Sequence, residues 1–197
     1  MASSSHLNER GEARMVDVSR KGVTERRAVA RGALELSRKA LQAILDGTVP
    51  KGDVLAVARV AGIQAAKRTA ELLPLCHPLA LTSVEVDVVP RPERNRVEIE
   101  ARVTAVERTG VEMEALLAVS VAALAVYDMV KGIDREMRVG PIELVEKTGG
   151  QSGTYRKPAR PAPAERGAPE PEEEVEPAAK AAAPARRRRR RRRSTKT

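Results

Sequence analysis

Lysines and acids that interrupt apolar helical stripes are the residues of this chain best suited to chemistry. In TGVEMEALLAVSVAALAVYDMVK (109–131), Met113, Leu117, Val121, Leu124, Asp128 and Lys131 share one stripe at about 100° per residue, while Ala115, Ala118, Ala122 and Ala125 share another. An acid and a base three residues apart meet on one side of a helix. Because they continue the Leu117 stripe, they are expected to point towards packed protein or a pocket. Such a pair can hold and move protons. The simpler alternative is an ordinary surface pair, worth only ~0.2–0.5 kcal/mol.

Other groups invite the same reading. Lys67 continues the stripe of Ala56, Val60 and Ile63, although a lysine stem covering apolar surface also accounts for it. His77 lies in PLCHPL (74–79), held between prolines and suited to hydrogen bonding or acid–base work. Cys76 beside it points elsewhere if the segment is extended, so no thiolate–imidazole pair is expected. With one Cys and two His, one of them His6 in the N-terminal arm, a zinc site is poorly supported, and no metal or cofactor is expected. KTGGQSG (147–153) is a glycine-rich turn without the spacing of a Walker loop. Arg26, Lys51, Lys67, Lys131 and Lys147 each fall at an element boundary or on an apolar stripe, and Glu112, Glu114 and Asp128 add carboxylates. Converging cations with a few acids suit a small polyanion undergoing proton transfer.

These residues need elements to position them. RRAVARGALEL (26–36) alternates small or apolar residues with charge and predicts a strand. Ser37 then caps a helix that ends at Asp46 and Gly47, and Asp53 caps a second, 54–73, stopped by Pro74. Val84, Val86 and Val88, then Val97 to Ala105 at spacing two, form a hairpin about a turn at 90–95. The central helix continues to about Met137, and a short strand follows at 141–146. The order βααββαβ predicts an α+β fold: a ferredoxin-like four-stranded antiparallel sheet, helices on one face, and an extra N-terminal helix. The other face of the sheet needs cover, which a second subunit would supply.

Composition sets the outer limits. Residues 1–24 are polar and read as a flexible arm with an apolar hint at Met15-Val16-Asp17-Val18; 25–157 are expected to form the folded domain that carries the candidate groups. Residues 158–197 hold seven of the thirteen prolines and eight consecutive arginines, 186–193, and are expected to be disordered. That tail carries twelve Lys/Arg and six Asp/Glu, so the first 157 residues keep 24 against 21, or +3 of the chain's +9. Salt-sensitive, non-specific adhesion to polyanions, or no function beyond solvation, is expected of it. A lone cysteine fits a reducing compartment, and no signal peptide is seen, so a cytoplasmic setting is expected. With no Phe or Trp, the core lacks large anchors, which favours oligomerisation.

Six motifs in order, KGD (51–53), AGIQAAKRT (61–69), PLCHPL, TGVEMEAL (109–116), YDMVK (127–131) and KTGGQSG, closely resemble the MoaC family of molybdenum cofactor biosynthesis, over about residues 6–156. The resemblance implies a lyase that converts 3′,8-cyclo-7,8-dihydroguanosine 5′-triphosphate to cyclic pyranopterin monophosphate and diphosphate. It implies a ferredoxin-like fold, sites between subunits, and a homohexamer built as a trimer of dimers. By motif match, Asp128 and Lys131 would be the acid–base centre, assisted by Lys51. Leu75, Cys76, His77, Met113 and Glu114 would bind substrate, Lys67, Lys147 and Arg26 would hold phosphates or support proton transfer, and Glu112 would line the same pocket. Val130 and Gly132 depart from the Cys and Ala usual in the family without replacing any of these groups. The alternative from another class is a ferredoxin-like nucleic-acid-binding protein with a basic tail. Such modules stack bases on sheet aromatics, and this chain has only two Tyr.

Overall fold

Alternation of apolar and charged residues builds the sheet. In the computed structural model, which describes residues 6–8, 10–151 and 153–158, the strands are β1 (Thr24–Glu35), β2 (Leu81–Arg91), β3 (Arg96–Glu107), β4 (Arg138–Val139), β5 (Glu143–Thr148) and β6 (Tyr155–Arg156). They run in the order β2-β3-β1-β5-β6, with β4 also on β1, and every pairing is antiparallel. The first four positions of that order are the ferredoxin-like arrangement predicted above. The two-residue strands β4 and β6 are too short to carry a sequence period. The tail predicted from residue 158 lies, from 159 onward, outside the described residues.

Register puts the valines and alanines on one face. Ala30 and Val86 both lie opposite Ala101, and Val97, Ile99, Ala101, Val103 and Ala105 of β3 are all buried. The intervening residues form the other face. There Arg31 pairs with Glu100, Arg102 with Asp87 at 2.7 Å, and Arg91 with Glu98 at 2.9 Å.

Helices α1 (Arg38–Leu45), α2 (Val54–Lys67), α3 (Thr69–Leu72) and α4 (Glu112–Val130) complete the chain. Ser37 and Asp53 cap as predicted, accepting the N–H groups of Ala40 at 3.3 Å and Ala56 at 3.0 Å. The helix expected over 54–73 is interrupted at Arg68, whose φ of −114° leaves the helical region. There the Thr69 hydroxyl donates to the carbonyls of Ala66 at 3.0 Å and Ala65 at 3.4 Å, which takes up backbone acceptors at the break. The central helix ends at Val130, short of Met137. Past it, Gly132 favours helix poorly, and Asp134 accepts the Ser37 N–H at 2.7 Å, drawing the chain towards the start of α1.

Small residues decide which side of α4 is buried. Ala115, Ala118, Ala122 and Ala123 are fully buried. Gly62 of α2 faces them so closely that a Cβ there would lie 2.9 Å from the Ala118 carbonyl oxygen and 3.3 Å from the Ala122 Cβ. Lys51, just before α2, reaches Asp128 near the end of α4, so the two helices run antiparallel. By length and composition α4 could cross a membrane, but half of it is buried in this fold, as expected of a core helix.

The other stripe of α4 corrects the sequence expectation. Leu117 and Val121 are only partly covered and Leu124 is 56% exposed, so the stripe that ends in Asp128 and Lys131 faces away from the chain's own core. The sheet and α2 can approach closely only over alanine and glycine, so the bulkier side is left outward. Lys67 shares this fate, since Val60 on its stripe is 58% exposed.

Candidate functional site

The predicted residues gather at two ends of α4 rather than around one cavity. At the C-terminal end, Lys51 Nζ donates to Asp128 Oδ2 at 2.7 Å and to the Asp128 carbonyl oxygen at 2.8 Å. Lys131 Nζ lies 2.7 Å from Asp128 Oδ1. Each carboxylate oxygen therefore has its own ammonium. Lys131 and then Lys51 hold the Asp128 carboxyl down at about 2. All three side chains are about half exposed, so the cluster is an ionised, preformed arrangement open on one side.

At the N-terminal end of α4 the loop 109–111, the start of the helix and the end of β5 enclose a cavity of about 280 Å³ lined by Arg26, Arg27, Arg108, Glu112 and Lys147. Lys147 Nζ pairs with Glu112 Oε1 at 2.8 Å. Arg26 is buried, its Nε donating to the Glu107 carbonyl at 3.1 Å and its Nη2 to that of Arg108 at 3.2 Å. The glycine turn after β5 passes over its guanidinium. Gly150, at φ +78°, leaves no room there for a Cβ. This corner offers fixed cations to an anion.

A second cavity, about 380 Å³, adjoins the first through Thr109, Gly110 and Glu112. Leu75, Cys76, His77, Met113 and Glu114 all line it, so Cys76 and His77 reach one space despite being neighbours. Glu114 is buried, and desolvation, reinforced by Glu112, pushes its carboxyl above the usual range. Burial and then Glu114 push the Cys76 thiol up as well, leaving it a poor nucleophile. The mixture of apolar wall, imidazole and protonatable acid suits a heteroaromatic ring with hydrogen-bonding edges. Lys67 lies in a separate depression with Ile63, Leu81 and Val84, which shares Leu79 with this cavity.

Four wall residues of the second cavity come from the segment read as an arm: His6, Val16, Val18 and Lys21. A small hairpin supports them, in which Leu7 bridges Ala13 and the Asn8 side chain accepts the N–H groups of Arg10 and Glu12. Arg108 Nη1 donates to the carbonyls of Ser19 and Lys21, both at 2.6 Å. The one sequence signal was the spacing of Val16 and Val18. Arg108 and Lys21 gave none, because charged residues in polar surroundings carry no period, and Arg27 read only as the charged side of a strand.

The MoaC family model matches residues 15–150. A protein of Thermomicrobium roseum named cyclic pyranopterin monophosphate synthase is 63% identical over 157 residues, which is 80% of this chain and 95% of that protein. Proteins of the same name from Pelotomaculum thermopropionicum and Heliobacterium modesticaldum are each 59% identical, over 80% and 76% of this chain and 92% and 94% of their own lengths. The matched region contains both ends of α4 and most of the walls of the two cavities, and the chain belongs to the MoaC family.

Proposed function

We propose that this chain is a lyase of molybdenum cofactor biosynthesis that converts 3′,8-cyclo-7,8-dihydroguanosine 5′-triphosphate to cyclic pyranopterin monophosphate and diphosphate, at a site completed by a second copy. The family membership and the names of the relatives support the reaction. The observation that carries the shared site is the separation of its parts. Glu112 and Asp128 are sixteen residues apart on one helix, which at 1.5 Å per residue is about 24 Å along the axis. A single nucleotide-sized substrate cannot use both clusters of one chain. It can use the N-terminal end of one α4 and the C-terminal end of another.

The uncovered stripe of Leu117, Val121 and Leu124, together with exposed Val57 and Val60 on α2, supports burial against another copy. The assembly proposed is the hexamer, a trimer of dimers, that the family resemblance implies. The lone cysteine supports a cytoplasmic setting.

In this reading the rings occupy the cavity of Leu75, Cys76, His77, Met113 and Glu114. Arg26 and Lys147 hold the phosphate chain, Glu112 keeps Lys147 oriented, and Lys67 adds charge from its neighbouring depression. Cyclisation requires a substrate hydroxyl to attack the α-phosphorus as the bond to the bridging oxygen breaks and diphosphate departs. Fixed ammonium groups stabilise charge on the leaving oxygen in a partly water-excluded site. Lys131 and Lys51 perform the proton transfers. Asp128, ionised at any working pH, orients both amines. The nucleic-acid alternative is weakened, since Arg31, Arg91 and Arg102 on the open sheet face are already committed to carboxylates.

Purified protein supplied with the cyclic dihydroguanosine triphosphate tests the proposal. Stoichiometric diphosphate and cyclic pyranopterin monophosphate are expected, and absence of both would refute it.

A further inference from the structure

We infer that Lys21 is a further phosphate-binding residue, set where the cation-lined cavity meets the ring cavity. The inference rests on the function proposed above for its biological ligand, and on geometry for its chemistry. Lys21 lines both spaces. On one side its neighbours are Arg26, Arg108 and Lys147, and on the other His6, Cys76 and His77.

Its backbone is held in place. The Lys21 N–H donates to the Val18 carbonyl at 3.0 Å, and its carbonyl accepts Arg108 Nη1 at 2.6 Å. The same Arg108 nitrogen binds the Ser19 carbonyl, so the turn 18–21 is anchored to the residues that follow β3. The side chain is a different matter. Among the described residues Lys21 makes no salt bridge, whereas the other lysine of this corner, Lys147, is paired with Glu112.

A half-buried lysine on an anchored backbone, in no ion pair with a carboxylate among the described residues and sharing a cavity wall with Arg26 and Arg108, is an anion contact prepared in advance. Little ordering remains to be done when the ligand arrives. Its position also explains why an otherwise polar N-terminal segment turns in against the cavities. The arm brings the cation, and Val16 and Val18 give the arm its apolar footing.

The test uses full-length Lys21→Met and Lys21→Arg beside the parent protein, with inorganic diphosphate as the probe in calorimetric titrations and with the cyclic triphosphate in turnover assays. Loss of one charged hydrogen bond predicts diphosphate binding weakened about 10-fold or more in Lys21→Met and largely retained in Lys21→Arg. The KM for the triphosphate rises in parallel, and the thermal midpoint stays unchanged. Diphosphate affinity of Lys21→Met within about twofold of the parent would overturn the inference, as would equal losses in both variants with a lowered midpoint. Should the parent bind diphosphate through Lys21 yet fail to turn the triphosphate over, the functional proposal falls and this one stands.

Discussion

Asp128 and Glu112 are carried by one uninterrupted helix, each bound to lysine, and they stand about 24 Å apart at its opposite ends. The distance divides one set of motif residues between two places, which the proposed function reads as two half-sites. Each end has a distinct character: an exposed cluster with a carboxylate between two ammoniums at one, and a pair of adjoining open cavities with arginines and a buried acid at the other.

The Asp128 cluster should govern turnover and not folding. Asp128→Asn is expected to reduce kcat by about 10²–10⁴-fold, the usual range for disabled acid–base machinery. Its denaturation midpoint should hardly move, because exposed ion pairs contribute little to stability. With its carboxyl held at about 2, Asp128 stays ionised down to that pH. Inflections in the parent's rate profile above pH 4 therefore belong to other groups.

Glu114 gives the opposite pH signature. Desolvation raises its carboxyl above the usual range, so the fold prefers the protonated form. Stability contributed by that preference is present at low pH and is lost as pH rises through the ordinary carboxylate range to the raised value. Glu114→Gln should thus gain stability relative to the parent between pH 4 and pH 8 while losing substrate affinity. Paired thermal melts across that range check the sign.

Packing of α2 on α4 depends on Gly62. Any side chain there meets the Ala118 carbonyl. Gly62→Val is expected to destabilise the chain by about 1–3 kcal/mol through overpacking, more than offsetting the ~1 kcal/mol that replacing glycine in a helix can return. Urea denaturation at fixed protein concentration measures the difference.

Gly150 makes a comparable prediction for the cation-lined corner where the phosphates are proposed to bind. A Cβ there overlaps the Arg26 guanidinium, and φ of +78° disfavours any other residue. Gly150→Ala should shift Arg26 and raise the KM for the triphosphate by about 10-fold, on the scale of one charged hydrogen bond. The ring cavity keeps its walls, which unchanged affinity for cyclic pyranopterin monophosphate would report.

Much of the fold was legible because its signals are local. The valine alternation of β2 and β3, the caps at Ser37 and Asp53, and the phase of α4 each need only neighbouring residues. Orientation was harder. Phase groups Leu117, Leu124, Asp128 and Lys131 together but cannot say which stripe the chain itself covers, and here close approach favoured the alanines. The motif residues of the site were recognisable, yet their division between two places depends on the length of α4. Arg108 and Lys21 went unseen, and His6 was set aside as part of an arm, because their places arise from long-range hydrogen bonds and cavity walls, which leave no period in sequence.

The central claim is that one reaction uses opposite ends of two different α4 helices. Lys131→Ala removes one half-site and Lys147→Ala the other, and each variant alone should be inactive. Coexpressed and purified as mixed oligomers, they should recover roughly a quarter of parental activity. In a two-fold pairing each mixed interface holds one intact and one doubly damaged site. If both half-sites served within one chain, every chain in the mixture would carry a lesion, and activity no higher than that of the separate variants would contradict the claim.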